Sequence, residues 1–258
     1  MSKIKHAFEN GKAFIGFLTA GDPGTEKTAD YVLAMERAGA DLVEIGIPFS
    51  DPTAEGAVIQ EANLRALHAG MTVDGVFGIV ERIRGKSQIP LVFLTYVNPV
   101  FHYGYEKFFA ACERLGVDGI ILPDLPYEEK GELEPIARAH GVDVISMIAP
   151  TSRERIQMIA KEASGFLYVV SSMGVTGMRE SIETDIGSMI QAIREVTDVP
   201  AAVGFGISTP EQAGQMAAVS DGAIVGSAIV QLIAQHGERA ETALEEYVSR
   251  MKAAVRSA

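Results

Sequence analysis

The chain has 258 residues, of which 47% are hydrophobic and 22% are charged, a composition typical of a globular protein with a large core. Its formal net charge at pH 7 is −12, and its lysines and arginines form no cluster, which argues against a function in nucleic-acid binding. A single cysteine, Cys112, rules out an intramolecular disulfide and a cysteine metal cluster, and the lack of any long apolar segment predicts a cytoplasmic protein.

Eight short apolar runs recur along the chain, and each is followed by a segment with helical periodicity. Strands and helices that alternate in this way form right-handed βαβ units with a parallel sheet, and eight such units close a barrel. We therefore predict one α/β domain, a (β/α)₈ TIM barrel with extra helices that covers residues 1–258. The predicted strands are 13–19, 40–47, 89–96, 117–123, 143–148, 165–172, 200–206 and 222–227.

The helical segments between these strands carry ordinary start and stop signals. Thr25 follows a proline and a glycine and is predicted to cap the first helix. Glycines at Gly39, Gly116 and Gly141 indicate helix ends followed by strand starts. The predicted helices are 25–39, 58–69, 73–83, 106–115, 128–140, 153–163, 186–196, 210–218, 228–235 and 238–257, so two helices separate strands two and three.

A glutamate, Glu44, interrupts the second predicted strand. Alternation along the strand places Glu44 and Gly46 on the face toward the barrel interior and the β-branched residues on the other face. A carboxylate removed from water must be paired or have a raised pKa, and a raised pKa suits a group that takes and returns protons near pH 7. We interpret Glu44 as an acid–base catalyst; a structural glutamate held by backbone donors or by an arginine is the alternative.

Two further carboxylates, Asp51 and Glu55, lie on the loop after this strand. No lysine lies at the carboxyl end of a predicted strand, so an aldolase that forms an imine has no obvious nucleophile. The five histidines lack the spacing of metal ligands, which disfavours a zinc-dependent aldolase. Acid–base chemistry by carboxylates remains the favoured interpretation.

Glycines cluster in or just after the last three predicted strands, at Gly174 and Gly177, at Gly204 and Gly206, and at Gly222 and Gly226. Glycine lets backbone N–H groups approach an anion, and Gly226-Ser227 begins a helix whose N-terminal donors favour negative charge. We predict a phosphate site formed by Gly177, Gly206, Gly226 and Ser227, with ordinary tight turns as the alternative. The long connection 171–180 is hypothesised to be a lid.

Apolar side chains on the predicted strand ends favour a flat, hydrophobic substrate with a phosphate tail. The candidates that would contact the substrate are Phe17, Leu94, Tyr96, Tyr168 and Phe205. Each of them singly is also consistent with a place in the core.

These residues together resemble the signature of the tryptophan synthase alpha subunit family. The likeness is strongest from Glu44 to Pro52 and extends over nearly the whole chain. It includes Ala54, Gly56 and Ile59-Gln60, the stretch from Phe17 to Gly21-Asp22-Pro23, Tyr96 with Asn98, Ser171 with Gly174-Val175-Thr176-Gly177, Gly204-Phe205-Gly206-Ile207-Ser208, and Gly226-Ser227-Ala228-Ile229-Val230.

The resemblance implies cleavage of indole-3-glycerol phosphate to indole and glyceraldehyde 3-phosphate, without a cofactor or metal in this chain. It also implies a partner, the tryptophan synthase beta subunit, which joins indole to serine with its own pyridoxal phosphate, in an α₂β₂ heterotetramer.

The resemblance also implies roles for single residues. Glu44 corresponds to the family's acid–base residue, and Glu55 stands where many members carry an aspartate that faces the indole N–H. Thr176 falls among the substrate-binding residues, and Asp51 resembles a loop residue that communicates with the beta subunit, with capping of the next helix as its alternative. Thr53 and Ala57 differ from the leucine and proline associated with this loop.

Two other functions stay open at the level of sequence. One is another phosphate-binding barrel enzyme, such as a sugar-phosphate isomerase or epimerase, which would keep the glycines without an indole-sized apolar pocket. The other is a non-catalytic, alpha-like activator of a beta subunit. For partner docking, the loops after strands two and three offer a candidate apolar patch, formed by Phe49, Pro52, His102 and Tyr103.

Overall fold

A computed structural model describes residues 3–170, 185–204 and 206–258, and within them nine parallel strands form one sheet. The order of the strands is β5-β4-β3-β2-β1-β9-β8-β7-β6, so β5 and β6, which are neighbours in sequence, form its two ends. The strands are β1 (Ala13–Thr19), β2 (Leu42–Gly46), β3 (Leu91–Leu94), β4 (Gly119–Ile121), β5 (Asp143–Val144), β6 (Ser146–Ile148), β7 (Leu167–Val170), β8 (Ala201–Gly204) and β9 (Gly222–Val225).

The predicted fifth strand, 143–148, is two short strands that face different neighbours. Residues of β5 pair with β4, whereas residues of β6 pair with β7. Ile145 lies between them, and its N–H donates to the carbonyl of Ile120 at 2.8 Å. The chain thus changes partner in the middle of this segment and brings the two ends of the sheet together, which confirms the predicted barrel and adds this split to it.

Helices surround the sheet. They are α1 (Thr25–Arg37), α2 (Ala57–His68), α3 (Val73–Arg84), α4 (Val97–Tyr103), α5 (Tyr105–Leu115), α6 (Glu134–Ala139), α7 (Arg153–Lys161), α8 (Ile186–Arg194), α9 (Pro210–Val219), α10 (Ser227–His236) and α11 (Glu241–Arg256), with 3₁₀ helices at Ile4–Phe8, Tyr127–Glu132 and Gly237–Arg239. No helix in the described ranges is long and apolar enough to cross a membrane.

Two predictions about the helices are wrong, and a further helix, α4, lies where none was predicted. Thr25 does not cap α1; the N-cap is Gly24, and the hydroxyl of Thr28 instead accepts the N–H of Gly21. The predicted helix 128–140 is a 3₁₀ helix followed by α6, because Pro135 is compatible only with the first turn of an α-helix. The helix α4 was not predicted, since the carboxylate of Asp124, from another loop, accepts the first N–H of that helix.

Alternation along β2 turns Glu44 toward the barrel interior, as predicted. In the sheet Glu44 lies between Phe17 of β1 and Val92 of β3. Val92 belongs to the apolar cluster inside the barrel, whereas Val43 and Ile45 belong to the larger cluster between the sheet and the helices. A carboxylate is therefore enclosed by the strands themselves.

Candidate active site

The carboxyl group of Glu44 is buried and has no hydrogen-bond partner in the part of the chain that the structure describes. Glu44 is 1% exposed, and neither of its side-chain oxygens has a partner among the described residues. Thr19 Oγ1 is the one other buried side-chain nitrogen or oxygen in those ranges without a partner. Burial raises the pKa of Glu44 to about 8, so the group is mostly protonated at pH 7. The structural alternative, a glutamate held by an arginine or by backbone donors, has no support in this arrangement.

Gly46, on the same face of β2, accommodates the ring of Phe17. A Cβ at position 46 would lie 2.7 Å from Phe17 Cζ, and one at Gly226 would lie 3.3 Å from Phe17 Cδ1. The space beside Gly46 is thus filled by the phenyl ring instead of being left for a ligand. The two glycines let Phe17, which is 3% exposed, pack against the interior with its ring at the edge of the cavity.

The second carboxylate, Glu55, is held from two sides at the start of α2. Asn63 Nδ2 donates to Glu55 Oε2 at 2.6 Å, and the hydroxyl of Tyr96 also hydrogen-bonds this carboxylate. Burial raises the pKa of Glu55 to about 7, although the bonds from Asn63 and Tyr96 counteract the rise. Gln60 Nε2 donates to the backbone carbonyl of Glu55 at 2.7 Å, which fixes the backbone as well.

Tyr96 supports this loop and does not line the cavity. Its hydroxyl accepts the N–H of Ala54 at 3.1 Å, and the residue is 1% exposed. The hydroxyl of Tyr96 therefore supports the loop that carries Glu55, and the direct contact between Tyr96 and the substrate stays a prediction.

One cavity brings the two glutamates together. Its empty space is about 650 Å³, including its open mouth, which is within the range of small-molecule sites. Apolar side chains form most of the cavity wall. The lining residues are Phe17, Glu44, Ala54, Glu55, Ile59, Leu94, Pro123, Met147, Tyr168, Gly206, Ile207, Ile224, Gly226 and Ser227.

Backbone donors also line this cavity. Gly226 is the N-cap of α10, and no side chain among the described residues caps that helix. The N-terminal N–H groups of a helix and its dipole favour an anion. Gly206, whose φ of 81° is a left-handed conformation that suits glycine, lines the same cavity, as does Ser227.

Two of the predicted phosphate-end glycines have a packing role instead. A Cβ at Gly204 would lie 2.5 Å from the hydroxyl oxygen of Tyr168, and one at Gly222 would lie 2.5 Å from the carbonyl oxygen of Ala13. Gly204 therefore makes room for the phenol of Tyr168, which lines the cavity and whose pKa burial raises well above its usual value. Gly222 permits close pairing of β9 with β1.

Four of the predicted site residues are not among the residues described as lining the cavity. Thr176, Gly177 and Phe205, like the hypothesised lid at 171–180, fall outside the described residues. Asp51 is exposed on the loop before α2, where it accepts the hydroxyl of Ser50 at 2.5 Å. It does not cap α2, whose N-cap is Gly56.

Sequence reasoning missed Asn63, Met147 and Pro123. Asn63 could have been found, because it is a polar residue on the otherwise apolar buried stripe of α2, formed by Ile59, Ala62 and Ala66. Met147 and Pro123 carry no comparable signal. Among the described residues, no group of three or more His, Cys, Asp or Glu side chains could hold a metal ion.

Comparison with known proteins identifies the family. The family model of the tryptophan synthase alpha chain matches residues 3–256. The tryptophan synthase alpha chain of Lacticaseibacillus casei is 50% identical over 255 residues, which is 99% of this chain and 96% of the relative. That of Lactiplantibacillus plantarum is 51% identical over 256 residues, 99% of this chain and 97% of the relative. The chain belongs to the tryptophan synthase alpha chain family.

Solved structures of tryptophan synthase alpha chains have the same fold. The tryptophan synthase subunit alpha from Legionella pneumophila superposes with a TM-score of 0.91 at 35% identity, and all of both chains is covered. A chain of the tryptophan synthase complex from Pyrococcus furiosus superposes with a TM-score of 0.86 at 35% identity, covering 94% of this chain and 99% of that one. The resemblance inferred from the stretch between Glu44 and Pro52 is confirmed.

Proposed function

We propose that this chain catalyses the alpha reaction of tryptophan synthase, the retro-aldol cleavage of indole-3-glycerol phosphate to indole and glyceraldehyde 3-phosphate. The observation that carries the proposal is the buried carboxyl group of Glu44, which has no partner among the described residues, in a cavity that also holds Glu55 and the N-terminus of α10. The protonated Glu44 suits an acid, the apolar wall suits an indole ring, and the helix N-terminus suits a phosphate.

In this mechanism Glu44 handles both protons. Its carboxylic acid donates a proton to C3 of the indole, which leaves a positive charge shared with the ring nitrogen. The resulting carboxylate then takes the proton of the side-chain hydroxyl as the adjoining carbon–carbon bond breaks. The electrons of that bond restore the aromatic ring and the hydroxyl oxygen becomes a carbonyl, so Glu44 ends protonated, as it began.

Glu55 stabilises the charge that develops on the indole. Its carboxylate accepts the ring N–H, and Asn63 and Tyr96 hold it in place for this. A preoriented carboxylate in a site shielded from water interacts strongly with a positive charge that exists only after C3 is protonated. We propose that this acid–base chemistry needs no cofactor in this chain.

Gly206, Gly226 and Ser227 would hold the phosphate through backbone N–H groups and the Ser227 hydroxyl, with Phe17, Leu94 and Tyr168 around the rest of the substrate. Support comes from their common place in the wall of the cavity that also holds the two carboxylates. Thr176, Gly177 and Phe205 remain proposed members of the same site.

We expect kcat/KM for this cleavage to have a bell-shaped pH dependence with its maximum between about pH 7 and pH 8. The reactive form pairs an ionised Glu55, whose pKa is about 7, with a protonated Glu44, whose pKa is about 8. Activity therefore rises as Glu55 loses its proton and falls as Glu44 loses its own, and the apparent values belong to the pair. Initial rates from pH 5.5 to 9.5 measure this profile; a flat profile through pH 9 would contradict it.

Incubation with indole-3-glycerol phosphate, followed by assay of indole, tests the function itself. Release of indole supports the proposal. Turnover of a pentose phosphate without release of indole would instead favour a sugar-phosphate isomerase or epimerase.

We also propose that the chain acts in the cytoplasm with a tryptophan synthase beta subunit, whose pyridoxal phosphate would consume the indole. One solved relative is described as part of the α₂β₂ complex of Pyrococcus furiosus. On this chain α4 exposes an apolar side chain, Phe101, at 64%, on the same end of the barrel as the cavity. Phe49 and Tyr103, which the sequence suggested for docking, make local contacts, with the ring of Tyr96 and the carboxylate of Asp74 respectively.

We expect Phe101→Asp to weaken binding to a beta subunit about tenfold or more, because it places a charge where an apolar contact is proposed. Val219→Asp is the matched control, since Val219 is also exposed, at 43%, but at the carboxyl end of α9. Titration of a purified beta subunit measures both affinities. Equal affinities of F101D and the unmodified chain would remove α4 from the interface.

A further inference from the structure

The loop that follows β8 is held by a hydrogen bond from a side chain in a distant part of the chain. Gly206 and Ile207 of this loop line the phosphate end of the cavity, and Ser208 comes directly after them. The hydroxyl of Tyr247, on α11, donates to the backbone carbonyl of Ser208 at 2.8 Å. A side chain 39 residues away in sequence thus holds the backbone just beyond the cavity wall.

The other backbone group of Ser208 is also held by a side chain. Gln212, in the first turn of α9, accepts the N–H of Ser208 at 2.8 Å and the N–H of Thr209 at 3.2 Å. The hydroxyl of Thr209 completes a capping box by accepting the N–H of Gln212. Ser208 is therefore fixed at both its N–H and its carbonyl, by α9 on one side and by α11 on the other.

We propose that Tyr247 is a positioning residue for the phosphate end, which it controls by anchoring Ser208 and, through it, the Gly206–Ile207 backbone. This inference rests on the proposed function, because it assigns the anion to that loop. Backbone N–H groups bind an anion well only if they are already oriented, since binding must otherwise order the loop at a cost in conformational entropy. A glycine in the left-handed region, as at Gly206, has no side chain of its own to fix it.

The bond between Tyr247 and Ser208 is suited to a permanent anchor. Tyr247 packs against the main core cluster, so its ring has a fixed place on α11. Burial raises the pKa of its phenol, which keeps the hydroxyl protonated as a donor. No contact of Tyr247 with the cavity is required, because it acts on the ligand only through the loop.

Substitution of Tyr247 by phenylalanine tests this role, with Tyr31→Phe as a matched control. Tyr31, on α1, also donates its hydroxyl to a distant backbone carbonyl, that of Gly237, at 2.5 Å. Gly237 follows the carboxyl end of α10, whereas the cavity contacts the opposite end of that helix. Each variant therefore loses one hydrogen bond between a tyrosine and a carbonyl, but only Y247F loses the one that supports the proposed phosphate loop.

For Y247F we expect the Kd for sn-glycerol 3-phosphate and the KM for indole-3-glycerol phosphate to rise about five- to tenfold, the usual effect of one lost hydrogen bond. The Kd for indole and kcat should stay within about twofold, since the phosphate contacts are the same before and during the reaction. For Y31F all four values should stay within about twofold of the unmodified chain.

A Y247F variant that binds sn-glycerol 3-phosphate as tightly as the unmodified chain would overturn the inference. So would an equal loss of affinity for indole, or an equal effect of Y31F, because either would indicate a general loss of stability. Failure of the proposed function would look different: the unmodified chain itself would release no indole from indole-3-glycerol phosphate, while the binding comparison could still be made.

Discussion

Glu44→Gln is expected to lower kcat for indole release by about 10²- to 10⁴-fold, the range usual for loss of a general acid or base. Glutamine has nearly the shape of the protonated carboxylic acid that burial favours at this position, but it can neither donate a proton to C3 nor accept one from the hydroxyl. Steady-state assay of indole from saturating indole-3-glycerol phosphate measures the effect. Unchanged indole release would contradict the assignment of Glu44.

The same substitution has a predicted effect on stability that separates chemistry from folding. The folded pKa of Glu44 is about 8, above the ordinary value of 4.5, so the stability that its protonated form contributes is complete below pH 4.5 and is lost as the pH rises toward 8. Relative to E44Q, the unmodified chain should therefore lose up to about 1.4 kcal/mol of unfolding free energy per pH unit between about pH 5 and 8. Urea unfolding at several pH values measures this difference.

Near pH 5 the two proteins should be about equally stable, so the lost activity of E44Q cannot be ascribed to unfolding. A stability difference that does not change between pH 5 and 8 would mean that Glu44 is ionised in the folded chain across that range. Retained binding of E44Q to a beta subunit, with cleavage lost, would further separate this chain from a non-catalytic activator.

Glu55→Asp is expected to lower kcat about 10- to 100-fold, because a displacement on the order of 1 Å in a catalytic group has effects of that size. In this chain Asn63 and Tyr96 are placed to meet the glutamate side chain. Shortening it withdraws the carboxylate from Asn63 Nδ2 and from the proposed position of the indole N–H.

Glu61→Asp, the same change at an exposed position of α2, is the matched control and should leave kcat within about twofold. Both variants are assayed as purified proteins under identical conditions. A kcat for E55D equal to or above that of the unmodified chain would show that the loop adapts to either length, and that the contacts of Glu55 do not fix the reacting geometry.

The sequence predicted correctly the features that depend on one strand or on the rule that parallel strands end at the same side of a barrel. Period-two alternation was enough to turn Glu44 toward the barrel interior, and the order of parallel strands was enough to bring it near Gly226 and Ser227. These inferences depend only on local geometry and on the rule that the carboxyl ends of barrel strands meet at one end.

Contacts between distant parts of the chain could not be inferred in this way. Phe17 fills the space beside Gly46, Asp124 caps α4 and Tyr247 anchors Ser208, and each of these pairs is brought together only by the closed sheet and the helices around it. The 3₁₀ turn before Pro135 is different, since the effect of proline on a helix is local and could have been predicted.

A crystal structure of the chain with indole-3-propanol phosphate, a substrate analogue without the reacting hydroxyl, tests the proposed site most directly. We expect the ring between Phe17 and Leu94, the carboxyl group of Glu44 close to C3, that of Glu55 within about 3 Å of the ring N–H, and the phosphate at the N-terminus of α10. An analogue bound elsewhere, or bound in the cavity with its phosphate toward Glu44 and its ring toward Ser227, would contradict the proposed site.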